Sequence, residues 1–99
     1  MIASIVGPPF IDDCLASVEQ QAKQCGAEVI VVACGTAAYA RRIGEKFPWV
    51  RVVHRENRET IPDLRRHGVE QARGEIIAII EEHCLAAPDW LAQAIAAHR

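Results

Sequence analysis

The sequence predicts an α/β fold, in which a parallel sheet of four strands is covered by helices on both faces. Short runs rich in β-branched residues alternate with longer segments whose apolar residues recur at helical spacing. The loops between them are short, and such an alternation requires right-handed crossovers and therefore parallel strands. The last run, residues 76–80, is apolar throughout, as expected of a strand that is buried on both faces.

The strands are predicted from apolar runs that end at turn-forming residues. Strand one ends at Gly7-Pro8-Pro9, because proline cannot donate to a sheet ladder. Strand two is β-branched at four consecutive positions from Val29, and Cys34-Gly35-Thr36 forms the tight turn after it. The predicted strands are residues 2–6, 28–33, 50–54 and 76–80.

Four helices are predicted from capping residues and apolar stripes. Asp12, Thr36 and Thr60 are the expected N-caps of the first three helices, and Pro88 starts the last. The stripe of helix three that should face the core comprises Ile61, Leu64, Gly68, Val69 and Ala72.

Length, composition and charge predict one domain over residues 1–99. The chain is 51% hydrophobic and 24% charged, with a net charge of −2, which is typical of a globular protein. The near-neutral balance argues against a nucleic acid or an anionic membrane surface as the partner. There is no apolar stretch long enough for a membrane span and no signal peptide, so a cytoplasmic protein is expected.

The four cysteines, Cys14, Cys25, Cys34 and Cys84, have no zinc-finger spacing, and four reduced thiols are expected. Cys34 is interpreted as a small residue that fills a turn, with a reactive thiol as the alternative. A metal site that combines Cys34 and Cys84 with His83 is conceivable, because all three residues lie at predicted strand ends.

Three potential ligands, Glu81, Glu82 and His83, come directly after strand four. In an open α/β sheet, chemistry collects in the crevice beyond the carboxyl ends of the strands. We therefore expect the functional centre there. The alternative is a solvated loop, because charged residues are usually exposed.

The order of these segments resembles the nucleotide-sugar half of the family 2 glycosyltransferases, which are inverting enzymes with the GT-A fold. The resemblance covers essentially the whole chain, and residues 79–84 lie where the family's Asp-x-Asp metal motif belongs. It implies the strand order 3-2-1-4 in the N-terminal half of a GT-A domain. The matching stretches are residues 4–8 (SIVGP), 28–36 (EVIVVACGT), 47–53 (FPWVRVV), 64–75 (LRRHGVEQARGE), 79–84 (IIEEHC) and 88–91 (PDWL).

The resemblance also implies roles for individual residues. His83 and Glu82 would hold a divalent ion, Mn²⁺ or Mg²⁺, which would neutralise the leaving nucleoside diphosphate. Arg65 would pair with a phosphate oxygen, and Glu81 would face the ribose. The donor-binding residues implied in this way are Pro8, Ala33, Cys34, Arg65, Glu81 and Glu82.

The sequence departs from the family pattern at positions that bind the donor. The family's Asp after strand two falls on Ala33 or Cys34, the second Asp of that turn on Ala38, and the Asn after strand one on Ile11. The acceptor half and its general base are missing from these residues, so the catalytic residues are unknown and the chain alone is expected to be inactive. The expected function is the donor-binding half of a glycosyltransferase; the alternative is a non-catalytic module that acts by binding or oligomerisation.

A homodimer is expected from the edge of strand four. In the family fold a later strand covers this edge, whereas this sequence stops at Arg99. Residues 75–80 would then expose an apolar edge without the lysine, proline or bulge that normally blocks pairing. We expect a homodimer in which this edge pairs with another chain, or in which the last helix swaps over to cover it.

Overall fold

The computed structural model describes residues 1–5 and 7–98, and it confirms the predicted α/β alternation. The strands are β1 (Ile2–Ser4), β2 (Ile30–Cys34) and β3 (Arg51–Arg55). The helices are α1 (Phe10–Cys25), α2 (Ala37–Lys46), α3 (Ile61–Gln71) and α4 (Trp90–Ala97). None of these helices has the length and apolarity that a membrane span requires.

The three strands form one parallel sheet in the order β3-β2-β1. Successive residues of β2 point to opposite faces, as the period of two in a strand requires. Val31 packs with α1 and α2 on one face, and Val32 packs with Leu64 of α3 on the other. The predicted three-layer arrangement is therefore present, with a fully buried strand β2 at its centre.

Residues 76–80, predicted as strand four, do not form a strand in the described part of the chain. They nevertheless lie beside β1. The amino group of Met1 donates to the carbonyl of Ala78 at 2.8 Å, and the N–H of Ile80 donates to the carbonyl of Met1 at 3.2 Å. Strand order is thus confirmed for 3-2-1, while the fourth position holds a segment with too few ladder bonds to count as a strand.

Among the described residues, the backbone bonds between the N-terminal strand region and residues 76–80 are limited to those of Met1. The N–H of Ile5 donates to the side chain of Glu82 at 2.7 Å, where a parallel ladder would use a backbone carbonyl. Met1, which directly precedes β1, makes both of the bonds to the segment. The apolar run therefore lies against β1 without a continuous ladder.

Two predicted helix caps are confirmed and one is wrong. Thr36 and Thr60 accept hydrogen bonds at their helix N-termini, from the N–H groups of Tyr39 at 3.1 Å and Asp63 at 3.3 Å. Helix α1 instead begins at Phe10, so Asp12 lies inside its first turn and is not the cap. In that turn a carboxylate is favoured by the helix dipole, so Asp12 satisfies the same electrostatic preference three positions beyond the cap, which is Pro9.

The buried stripe of α3 is confirmed in part. Leu64 and Gly68 are buried, whereas Val69 is 44% exposed, so its predicted burial is wrong. Gly68 lies so close to the N-terminal strand that a Cβ there would come within 2.6 Å of the Met1 side chain. The start of α4 is also later than predicted, at Trp90, with Pro88 in the preceding turn.

Candidate functional site

The carboxyl end of β1 and residues 81–84 meet at one edge of the sheet. The link between them is Glu82, whose Oε1 accepts a hydrogen bond from the Ser4 hydroxyl at 2.8 Å. The same carboxylate accepts from the N–H of Ile5 at 2.7 Å and from the N–H of Gly7 at 3.1 Å. The acidic cluster therefore lies beside the carboxyl end of β1, while the binding crevice predicted there stays a prediction.

Glu82 differs from its neighbours in being buried, with 6% of its surface exposed. Three of its hydrogen bonds go to β1 and the loop that follows, so it holds that loop in place. A metal ion would compete with these donors for the same two oxygens. The predicted role of Glu82 as a metal ligand and donor contact stays a prediction, and its geometry favours a positioning role.

The side chain of Tyr39 contacts both the end of β1 and the loop that follows it. Its hydroxyl is hydrogen-bonded to the Ser4 hydroxyl, and because Ser4 donates its one proton to Glu82, Tyr39 is the donor in that pair. Burial raises the pKa of the Tyr39 phenol, which keeps this proton in place. Gly7 lies over the ring with φ +86°, and a Cβ there would contact the ring at 3.4 Å.

A second set of side chains faces solvent on the outer side of the same turn. One ligand atom from each of Glu81, His83 and Cys84 lies within 4.8 Å of the others. His83 Nε2 is 3.0 Å from Glu81 Oε2. The N–H of Cys84 donates to the carbonyl of Glu81 at 3.0 Å, and this turn brings the two side chains to one side.

Arg65 of α3 reaches the same place from the neighbouring helix. One of its terminal nitrogens, Nη2, lies 3.7 Å from Glu81 Oε1. Its Nε is buried without a hydrogen-bond partner among the described residues. The guanidinium therefore brings a positive charge with unused donor capacity close to Glu81. Its predicted pairing with a phosphate oxygen stays a prediction.

The remaining residues that were predicted to bind the sugar donor lie outside the cluster of Glu81, His83 and Cys84. Ala33 is fully buried inside the sheet, and Pro8 is exposed in the loop after β1. Cys34 is buried at the end of β2, where its thiol donates to the Asn57 carbonyl at 3.4 Å. The conceivable site of Cys34, Cys84 and His83 is thus replaced, among the described residues, by one in which Glu81 takes the place of Cys34.

Sequence reasoning missed Ser4, Tyr39 and Cys14 as parts of this site. The only signal for Ser4 was a hydroxyl within an apolar strand, which needs a partner once it is buried. The Cys14 thiol is also buried and donates to the Glu81 carbonyl at 3.6 Å. Burial raises the pKa of Cys14 to about 11, so it stays a neutral thiol at neutral pH.

Comparisons with known proteins give one family and one related protein. The model of the family described as "Glycosyl transferase family 2" matches residues 2–99. Over 88 residues the chain is 33% identical to the protein named "Putative glycosyltransferase EpsH" of Bacillus subtilis (strain 168). The match covers 85% of this chain and 25% of that protein, so the chain spans a quarter of the length of this relative. No solved structure matches the chain significantly.

Proposed function

The chain belongs to glycosyl transferase family 2, and from this premise we propose that residues 1–99 are the donor-binding part of an enzyme that transfers a sugar from a nucleotide-sugar to an acceptor. The observation that carries the proposal is the convergence of Arg65, Glu81 and His83 at the carboxyl edge of the sheet. This is the place where open α/β sheets bind their ligands.

Arg65 is the residue that would hold the diphosphate. A guanidinium forms strong, charge-assisted hydrogen bonds with phosphate oxygens, and it does so with a planar, two-pronged geometry. Its present neighbour, Glu81 Oε1 at 3.7 Å, is an exposed carboxylate that a phosphate could replace. Half-buried on α3, Arg65 starts from a restrained position, which lowers the entropic cost of binding.

A divalent ion would share this task, and the side chains present offer ligands for one. Glu81 supplies carboxylate oxygen and His83 supplies imidazole nitrogen on the exposed side of the turn. A bound ion would neutralise charge that develops on the leaving nucleoside diphosphate. The ions expected from the family resemblance are Mn²⁺ and Mg²⁺.

The nucleotide base of the nucleotide-sugar donor would be bound weakly. Ile11 and Ala33 stand where the family has polar groups, and both are fully buried, so neither offers a hydrogen bond to the base. An unpaired N–H on a buried base edge costs about 1–3 kcal/mol, or roughly tenfold to a hundredfold in affinity. We expect dissociation constants no tighter than on the order of 100 μM.

Calorimetry with several nucleoside diphosphates, in the presence of Mn²⁺, tests this function. Binding should weaken by roughly tenfold or more in Arg65→Ala, since one charged hydrogen bond contributes about 1.5–3 kcal/mol. Arg66→Ala is the matched control, because this adjacent arginine is exposed and pairs with Glu70 at 3.2 Å. Equal losses in the two variants, or no binding by a folded protein at millimolar nucleotide, would refute the proposal. A micromolar constant for one nucleotide would instead mean that another group binds the base.

The second candidate function is a non-catalytic module that kept the fold and acts by binding or oligomerisation. The buried Ala33 favours it, because no side chain there can select a base. Glu82 also favours this second candidate, because its carboxylate already accepts hydrogen bonds from the end of β1 and the loop after it. A correctly folded protein that binds no nucleotide and associates with itself would support this candidate over the first.

A further inference from the structure

We propose that Glu81, His83 and Cys84 form a site for a thiophilic divalent ion of the Zn²⁺ class, in place of the Mn²⁺ or Mg²⁺ that the family resemblance implies. The inference deepens the proposed function and rests on it for the ion's role beside the donor. The site itself rests on these three side chains and on the turn that carries them.

The spacing of the three ligand atoms suits a small tetrahedral ion. They all lie within 4.8 Å of one another, and the closest pair, Glu81 Oε2 and His83 Nε2, is 3.0 Å apart. Ligands bound to Zn²⁺ at its usual distances of about 2.0–2.3 Å lie roughly 3–4 Å from each other. Small side-chain rotations therefore close the site, and three protein ligands leave one position open for a donor oxygen or water.

The backbone that carries these ligands is anchored on its inner side. Glu82 lies between the first two ligands in sequence, and its buried carboxylate accepts three hydrogen bonds from Ser4, Ile5 and Gly7. The N–H of Cys84 closes the turn on the carbonyl of Glu81 at 3.0 Å. The ligands thus project from a fixed turn, and little backbone entropy is lost when an ion binds.

The chemistry of the ligand set decides the class of ion. Mg²⁺ requires oxygen ligands in an octahedral arrangement, and Mn²⁺ also prefers carboxylate and water. Glu82, the second carboxylate of the cluster, is held by β1 and its loop. The third available ligand is instead the half-buried thiol of Cys84, and thiolate with imidazole favours Zn²⁺ and Co²⁺. The thiol proton passes to solvent when the ion binds.

Titration of the untagged, reduced protein with Co²⁺ tests the site without any nucleotide. We expect the near-ultraviolet charge-transfer absorption of a cobalt–thiolate bond, abolished by stoichiometric Zn²⁺ and unaffected by a large excess of Mg²⁺. Cys84→Ser should remove the band and weaken Co²⁺ binding by about tenfold or more. Cys25→Ser is the matched control and should keep the band, because Cys25 is exposed at the end of α1.

Two results would overturn the site. One is a charge-transfer band that persists in Cys84→Ser, which would place the thiolate elsewhere; the other is displacement of Co²⁺ by Mg²⁺. If Cys84→Ser does not fold, His83→Ala on the exposed side must lower Co²⁺ affinity by a similar factor, and an unchanged affinity rejects the proposal. Because the readout needs no nucleotide, a protein that binds Co²⁺ through Cys84 but no nucleoside diphosphate rejects the proposed function and leaves the metal site standing.

Discussion

At the level of single residues, the side chain of Glu82 accepts hydrogen bonds from backbone N–H groups that follow β1. The N–H groups of Ile5 and Gly7 follow the last residue of β1, and without the Glu82 carboxylate they would lose these acceptors. An unsatisfied buried N–H costs free energy comparable to a lost hydrogen bond. One carboxylate satisfies both groups and the Ser4 hydroxyl, so the conformation of the loop depends on a residue far away in sequence.

Replacing Glu82 should therefore destabilise the protein. Glu82→Ala removes the acceptor of three hydrogen bonds, and we expect a loss of about 2–4 kcal/mol in the free energy of unfolding, measured with urea. Glu81→Ala is the matched control on the adjacent, exposed residue and should change stability by less than about 0.5 kcal/mol. Similar losses in both variants would contradict the positioning role of Glu82.

Gly7 is the second residue on which the loop depends. Its φ of +86° lies in the left-handed region, and Gly7→Ala should cost about 1–2 kcal/mol. Gly44→Ala, within α2, should have the opposite sign and stabilise by about 0.5–1 kcal/mol, because an added Cβ lies a comfortable 3.9 Å from Val52. Thermal or urea unfolding of the pair would test the contrast, and a neutral Gly7→Ala would show that the loop can relax.

At the level of secondary-structure elements, Asp12 joins α1 to α2. Its carboxylate accepts from Arg42 at 2.7 and 3.2 Å and from Lys46 at 2.7 Å. The hydrogen bond from Arg42 is the main reason why the pKa of Asp12 lies below its usual value, and it outweighs the opposing effect of burial. Two helices on the same face of the sheet are thereby held together at the end near the site.

The pH dependence of stability should reveal this contact. Because the folded pKa of Asp12 is lowered, its contribution is complete above the unfolded value of 3.8 and disappears as the pH falls through the folded pKa. Asp12→Asn should lose about 0.5–1 kcal/mol at neutral pH, and its difference from the wild type should vanish in acid. Asp13→Asn, the exposed neighbour in the same helical turn, should show neither effect. A deficit in Asp12→Asn that stays constant down to pH values well below 3.8 would argue against the ion pair.

For the whole molecule, the segment beside β1 leaves apolar side chains in contact with water. Ile77 is 38% exposed and Ile79 is 45% exposed. Ile77 also lines an apolar cavity of about 520 Å³ near the start of the sheet, together with Met1 and Trp90. Exposed apolar side chains along an unpaired backbone edge favour association with another chain.

We predict that the edge formed by residues 75–80, beside β1, pairs with a second copy of the chain. Sedimentation at micromolar concentration should give twice the mass of the 10.9 kDa monomer. Ile79→Lys should shift the protein to monomer, because a lysine on an edge blocks pairing. Val69→Lys, at a similarly exposed residue on α3, should leave the dimer intact. A clean monomer in which the amides of residues 75–80 exchange freely would contradict the prediction.

The sequence by itself determined the features that depend on neighbouring residues. The alternation of strands and helices follows from periods of two and 3.6 in the apolar residues, which are local. Thr36 and Thr60 cap their helices because a hydroxyl reaches the N–H three residues on. The position of residues 81–84 beside the end of β1 could also be predicted, since parallel strands bring their carboxyl ends to one edge.

Only the tertiary structure decided how adjacent residues divide their tasks. Glu81 and Glu82 are identical in chemistry, yet one faces solvent and the other is buried, because Ser4 and the loop after β1 offer hydrogen-bond donors to Glu82. Asp12 was predicted to be a helix cap from its neighbouring residues alone. Its actual partner, Arg42, lies 30 residues further along the chain, where a local pattern does not reveal it. Residues 76–80 have the composition of a strand, but a strand also needs a continuous ladder with its neighbour, and beside β1 the described residues provide only the two backbone bonds of Met1.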